Sequence, residues 1–418
     1  MYSIKVQQDD SSEDFISQLP NELLRHILSF LPTKDIVSTS ALSSRWRSLW
    51  TSFAIVNFNF DAWKEKQKER PSFLDKVQRE LLIPDTTRIR KFHLHSDCAV
   101  CFSQILASMS IVSEVVNHKV EELDLSIPYH LESNLFTFPH CLFTSQTLIS
   151  LKLHMTQVTL INFPTSIFLP RLKTLYLDYI KFQDEHSAQL LLSACPVLKE
   201  LCIDNCGWTK TTEITISIPT LLTLSLIFFD ENPPDISIKI CTPNLLNFYH
   251  TSSLQVELIT CNLSSVTRAE VDVFGSLGYD QRVRAQAAHR TLQLLKAIRG
   301  VKFLELSYET LQGISFAENF QANHLPTFYN LTDLNVNFNF ANRDGAALMH
   351  VLQKSPNLRS LHFPQGFDEE YQKNVIPVKD NAEEVRFLNI YTRMLRLWSG
   401  FQSIVQKIYQ KTWERRRR

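Results

Sequence analysis

One short pattern limits this chain's fold more than anything else in it: apolar-x-x-apolar-x-apolar, repeated along most of its length. It reads IRKFHL from Ile89, VEELDL from Val120, LISLKL from Leu148, LKTLYL from Leu172, LKELCI from Leu198 and LLTLSL from Leu221. It continues as LLNFYH from Leu245, VTRAEV from Val266, VKFLEL from Val301, LTDLNV from Leu331 and LRSLHF from Leu358. The last two apolar positions are two apart and so point to one face of a strand, while the first packs beneath the preceding bend. No single copy can bury that face alone, but copies stacked side by side share one continuous core.

Start-to-start spacings run from 21 residues (Leu245 to Val266) to 35 (Val266 to Val301), scattered around the period of leucine-rich repeats. The expected fold is therefore α/β, a solenoid with a curved parallel sheet and an irregular, helical convex side. Prolines precede several copies, as in LPRL, CPVL, IPTL, TPNL and SPNL, where they stop the previous element without costing a ladder bond. His250 breaks the rule at an inward position, and the eighth copy is weak. Cys206 and Asn339 stand where the repeat consensus wants Asn or Cys.

Residues flanking the inward positions face the other side of the strands, where solenoids bind partners. Nine of them are acidic (Glu122, Asp124, Asp178, Glu200, Asp204, Glu270, Asp272, Glu305, Asp333), against Lys91, Lys152 and Arg268. The whole chain is balanced, with 43 basic and 43 acidic side chains. This predicts an acidic face suited to a basic protein segment, with Glu122, Asp124, Tyr176, Asp178, Glu200 and Asp204 as candidate contacts. Solvated strand positions are the plainer reading of the same residues.

Ahead of the repeats, residues 14–53 read DFISQLPNELLRHILSFLPTKDIVSTSALSSRWRSLWTSF, which parses into three short helices. Pro20 suits a first helical turn and Glu22 the positive end of the dipole. Pro32 stops that helix, Thr33 caps a second through Asp35 to Leu42, and Ser43 or Ser44 caps a third carrying Arg45, Trp46, Leu49 and Trp50. In the first helix Leu23 and Ile27 form one apolar stripe, and Leu24 and Leu28 a neighbouring one. That arc is wider than a forty-residue body can cover by itself, so the surplus must be buried against something else.

The string from Leu19 to Trp50, LPNELLRHILSFLPTKDIVSTSALSSRWRSLW, resembles the F-box of plant F-box proteins over nearly all its positions. CLFTSQTLISLKL from Cys141 and SPNLRSLHFPQG from Ser355 resemble the repeats of plant F-box/FBD/leucine-rich-repeat proteins. Beyond Phe367 the FBD pattern is degenerate or missing. The resemblance implies a module that binds a small Skp-type adaptor, and through it a cullin and a RING protein. It puts Leu19, Pro20, Leu23, Leu24, Ile27 and Leu28 at or beside the adaptor contact. Val37, Leu42, Trp46, Leu49 and Trp50 are then shared between that contact and the module's own core.

The expected organisation is an F-box at 14–53, a linker with a first strand and connector helix at 54–87, repeats at 88–366, and a C-terminal segment at 367–418. That last part carries nine basic residues after position 384 against Glu414 alone, and reads as a degenerate FBD or helical cap with a basic tail.

Eight cysteines dispersed through an apolar-rich chain, behind a polar, acidic N-terminus, suggest the cytoplasm or nucleus. The longest uncharged runs are broken by Pro164 and Pro219, so no membrane span is expected. Zero net charge removes the simplest case for binding nucleic acid. Only eight glycines occur and none forms a phosphate loop; Cys98-x-x-Cys101 stands without a second pair; Cys202 and Cys206 have no adjacent histidine base. No cofactor, metal or catalytic residue is expected. The resemblance implies a non-catalytic, substrate-recognising subunit of a ubiquitin ligase of the adaptor-cullin-F-box type. The alternative is a repeat scaffold that binds the adaptor without ubiquitin transfer.

Overall fold

The computed structural model describes residues 16, 18–28, 38–50, 55–59, 90–95, 102–127, 135–209, 213–229, 236–254, 256–260, 263–275, 280–317, 324–337, 346–362 and 376–377. The chain divides into two compact units, the first of Met1–Leu198 with Cys206–Thr209, the second of Lys199–Asn205 with Lys210–Arg418.

Among the described residues of the first unit, α1 (Asn21–Leu28) and α2 (Ser44–Trp50) come first, with a 3-10 turn at Thr39–Ala41 before α2. The α1 ladder opens on Pro20, whose carbonyl accepts from Leu24 N–H at 3.1 Å. Ser43 Oγ accepts from Trp46 N–H at 3.4 Å and so caps α2, as its position predicts. The start of the second expected helix, residues 33–37 with Val37 among them, lies outside the described residues; the described part contains the 3-10 turn.

Five strands then stand side by side in the parallel order β1 (Ile55–Asn59), β2 (Lys91–His95), β3 (Glu122–Ile127), β5 (Ser150–Ile161), β6 (Thr174–Phe182). Between them run α3 (Phe102–Asn117), β4 (Leu135–Phe136), which pairs with β5, and α4 (His140–Phe143). After β6 comes α5 (Glu185–Ser193), opened by a capping box in which Asp184 accepts from Ser187 N–H at 2.8 Å. β8 (Gly207–Trp208) pairs with β6.

The second unit repeats the scheme as β7 (Glu200–Asp204), β10 (Thr223–Ile227), β12 (Asn247–Ser253), β14 (Arg268–Phe274), β15 (Phe303–Ser307), β16 (Asp333–Asn337) and β17 (Ser360–His362), all parallel. β18 (Ile376–Pro377) pairs antiparallel with β17. Its helices are α6 (Gln281–Ala297), α7 (Tyr308–Ser315) and α8 (Ala346–Gln353). Every copy of the apolar pattern thus lies on a parallel strand, the weak eighth one included.

Register explains the pattern's chemistry. Leu151 pairs with Leu175 and Leu153 with Leu177 on one pair of strands; Leu224 pairs with Phe248, and Ala269 with Leu304, on others. All are at most 1% exposed. Each such side chain contributes about 1.5–3 kcal/mol by leaving water, so a stacked row is the main source of stability. Cys206, at the consensus position, is buried and its Sγ donates to the Leu177 carbonyl at 3.4 Å.

The connections between repeats are irregular, as the uneven spacing implies. Three connections of the second unit carry short strands, β9 (Glu213–Ile216), β11 (Ser237–Ile240) and β13 (Glu257–Thr260), joined as a small parallel sheet. The reason is local: EITI and SIKI alternate inward and outward residues with period two, which a helix cannot use.

Asparagines in the turns tie successive repeats together. Asn244 donates to the Pro219 carbonyl (2.9 Å), Asn330 to that of Gly300 (3.3 Å) and Asn357 to that of Tyr329 (2.8 Å). Cys141, Cys195, Cys202 and Cys206 are free thiols, and Cys241 is disulfide-bonded. Among the described residues no helix is long and apolar enough to cross a membrane.

Candidate functional site

Two surfaces gather the sequence-predicted residues. The first is on the helical module. Leu24, Leu28, Trp46 and Leu49 form its core, all at most 6% exposed, with Leu19 packed against them. Leu24 and Leu28, expected at or beside a partner contact, and Trp46, expected to be shared between that contact and the core, lie in the interior, where α2 packs on their stripe of α1. The neighbouring stripe is left uncovered, with Leu23 at 51%, Ile27 at 44% and Leu42 at 67% exposure, beside an exposed Pro20. The structure therefore separates two sets that helical spacing alone leaves merged.

Arg45, which carries no role in the sequence reading beyond its place in the third helix, braces this arrangement. Its guanidinium donates to Asn21 Oδ1 from Nε (3.0 Å) and Nη2 (2.8 Å), and from Nη2 also to the Leu19 carbonyl. The fork ties α2 to the start of α1. Its signal in the sequence is an arginine beside the core tryptophan, three residues after an exposed Leu42.

The second surface is the outward row of the strands. In the first unit, register sets Lys91, Glu122, Ser150 and Thr174 in one line, His93, Asp124, Lys152 and Tyr176 in the next, and His95, Ser126, His154 and Asp178 in a third. Ser126 is itself buried, at 8% exposure. The carboxylates here are not isolated. Glu122 pairs with Lys91 Nζ at 2.8 Å. Asp124 lies 3.5 Å from His93 Nδ1 and 3.8 Å from His154 Nε2, and Asp178 lies 3.2 Å from His154 Nδ1. Burial would raise the Asp124 pKa, but the His93 hydrogen bond and the charges of His154, His93 and Lys152 together hold it below the ordinary value. Tyr176 packs on His154 with ring centroids 4.7 Å apart.

In the second unit Glu200 is exposed and Asp204 accepts from Asn205 Nδ2 at 2.9 Å. Glu270 stands directly opposite Glu305, which accepts from Asn335 (3.1 Å) and Asn337 (2.7 Å). Burial first, and the Glu305 charge second, raise the Glu270 pKa; burial, with the Glu309 charge, raises that of Asp272 against a Ser307 hydrogen bond. Hydrogen bonds from Ser360 and Thr332 lower that of Asp333. Arg268, the cation among them, lies flat over Phe303 with its carbon 3.8 Å from the ring centre. The acids of the first unit thus lie beside Lys and His side chains, whereas Glu270 of the second lies opposite another carboxylate. Pro364 of the outward row lies outside the described residues. Among the described residues no group of three or more His, Cys, Asp or Glu side chains is placed to hold a metal ion.

A helical module with an uncovered apolar stripe, followed by parallel repeats with a charged outward row, defines a class of binding protein, and comparison with known proteins agrees. Residues 16–57 match the F-box domain model, and residues 109–309 match the model described as FBD-associated F-box protein At5g56370, LRR repeats. The chain is 33% identical over 357 residues to the F-box/LRR-repeat protein At4g14096 of Arabidopsis thaliana, covering 84% of this chain and 73% of the relative. It is 32% identical over 378 residues to F-box/LRR-repeat protein At3g59200 of the same plant, covering 84% and 69%. F-box/LRR-repeat protein At4g14103 is 31% identical over 366 residues, covering 84% and 92%. The chain belongs to the F-box/LRR-repeat family.

Proposed function

We propose that this chain is the substrate-recognising subunit of a ubiquitin ligase of the adaptor-cullin-F-box type. Pro20, Leu23, Ile27 and Leu42 take the Skp-type adaptor, with Leu24, Leu28 and Trp46 as the core beneath them and Leu19 at the boundary. The observation that carries this is an apolar stripe left half exposed on a module whose own core is already filled. Such a stripe on a folded body is an interaction site in waiting. The adaptor brings a cullin and a RING protein, and the outward strand rows hold a protein substrate, a basic one by their carboxylates. We place this assembly in the cytoplasm or nucleus.

In this mechanism the chain performs no bond chemistry. It raises the effective concentration of a substrate lysine near a ubiquitin-charged enzyme, and proximity of that kind accelerates transfer without a catalytic group of its own.

The test is a pull-down with the wild type and a Leu23→Asp, Ile27→Asp double variant. Both side chains are exposed, so the variant keeps its fold by circular dichroism while losing adaptor and cullin and keeping substrate. Adaptor retained by the variant refutes the contact. Adaptor without cullin, in the wild type, points to the scaffold reading instead.

A further inference from the structure

We propose that the basic segment 385–418 folds back onto the outward face of the second unit's strands and holds the place of a substrate until one displaces it. This rests on the reading that the outward rows take a basic protein substrate.

The charges of this face carry the argument. Its outward strand positions hold Glu200, Asp204, Glu270, Asp272, Glu305 and Asp333 against Arg268 alone, a net charge of −5 with His362 neutral. Exposed Lys199, Lys302 and Arg359 enter the strands and Glu309 follows β15, which leaves −3. All four of these cations lie at or just before the first residue of a strand. Asp333 lies in that same row, where Ser360 and Thr332 hydrogen-bond it. Further along the strands, Asp204, Glu270, Asp272 and Glu305 share the outward positions with no Lys or Arg. Register sets Glu270 directly opposite Glu305, where like charges repel. Burial and neighbouring carboxylates make Glu270 and Asp272 harder to ionise, so a cation placed beside them relieves both.

Charge and reach select the occupant. Segment 385–418, outside the described residues, carries nine basic side chains against Glu414, a net charge of +8 in a chain whose total is zero. β18 pairs with β17 at the edge of this same sheet and ends at Pro377. β14, which bears Glu270 and Asp272, lies three strands from β17, about 14 Å at the usual spacing. The chain from Pro377 to Arg386 spans up to about 30 Å when extended, so the first arginine of the segment can already reach that strand. Tethering holds the segment at roughly millimolar effective concentration, an advantage that a free basic segment of equal affinity lacks.

The experiment measures binding of a fluorescent nona-arginine peptide to the full-length chain at low salt. The comparison is a variant with Lys407, Lys411 and Arg415 to Arg418 all changed to Ser, its fold checked by circular dichroism. A tethered rival that fills the face nine times in ten weakens a free ligand about tenfold, so the variant should bind the peptide about tenfold more tightly than the wild type. Adding Glu270→Gln and Glu305→Gln to the variant should remove that gain; a gain that persists places the peptide elsewhere and overturns the proposal. Equal affinity for wild type and variant overturns it too, while leaving the basic-substrate reading intact. Binding to neither protein sinks that reading, and the proposal with it. A second measurement needs no variant: a carbodiimide joins lysine amines to carboxylates in contact with them. In the wild type, Lys407 or Lys411 should be linked to Asp204, Glu270, Asp272 or Glu305. Mixing chains of two isotopic compositions separates links within one chain from links to a second copy. Links only between copies, or none to these carboxylates, overturn the proposal.

Discussion

His250 stands where neighbouring strands place Leu226 and Val271, and its burial makes the stability of the second unit depend on pH. The ring is 3% exposed, its Nε2 lies 2.9 Å from Ser252 Oγ, and it stacks on Phe248 at 6.1 Å; Nδ1 has no hydrogen-bond partner. Burial, only partly offset by the Leu226 backbone, pushes its pKa from 6.5 down to about 4. The unfolded chain takes the proton more readily than the folded one. The contribution is therefore complete above about pH 6.5 and lost as pH falls toward about 4. The gap between those values corresponds to about 3 kcal/mol below both, of which about 2 kcal/mol is lost by about pH 5.

The perturbation is His250→Leu, which restores the apolar residue of the neighbouring repeats. It strands Ser252 Oγ, at a cost of about 1–3 kcal/mol that is the same at every pH. Urea unfolding followed by circular dichroism compares the two proteins at about pH 7.5 and about pH 5. With a slope of about 2 kcal/mol per molar urea, the wild-type midpoint should fall about 1 M further than the variant's. All other titrating groups are shared, so they cancel in the comparison. A midpoint difference identical at both pH values refutes the reasoning.

Other expectations follow from burial and bonding. Leu24→Ala should destabilise the helical module by about 2–5 kcal/mol, whereas Leu23→Ala, one residue away, should stay within about 0.5 kcal/mol in thermal melts. Asn357→Ala removes the bond to the Tyr329 carbonyl and should cost about 1 kcal/mol, seen as faster hydrogen exchange in the last two repeats. Reversing Asp178 and Asp204 to Lys should weaken capture of a basic substrate at least tenfold in a quantitative pull-down; unchanged capture counts against both rows as contacts.

The repeat strands were legible because their signal is redundant: each inward pair, such as Leu151 with Leu153, repeats in its neighbours Leu175 and Leu177, and register follows from stacking. The connections were less legible. ITIS and ISIKI alternate as strands, yet the repeat period alone suggests a helix there, and only the pairing of Ile214 with Ile238 decides it. Charge was the least legible of all. A count of outward acids treats Asp124 and Glu270 alike, but one lies between two histidines while the other faces Glu305 across a strand pair. Cross-strand partners, which a linear count cannot see, set the sign of each environment.

The helical module shows the same limit at a smaller scale. Leu23 and Ile27 lie one residue, or about 100° of helix, from Leu24 and Leu28, so periodicity marks both stripes as apolar and ranks neither. What ranks them is where α2 lands. Trp46 and Leu49 cover Leu24 and Leu28, and Arg45, between the tryptophan and the capped start of α2, donates to Asn21 and to the Leu19 carbonyl. Rolling α1 by one residue would bury Leu23 and expose Leu24, exchanging the stripes with no change in the apolar count. The identity of the exposed stripe therefore follows from where α2 packs, with the Arg45 hydrogen bonds tying α2 to the start of α1. Hydrophobic spacing shows that a module like this has a surplus to bury, and the packing of α2 determines which residues present it.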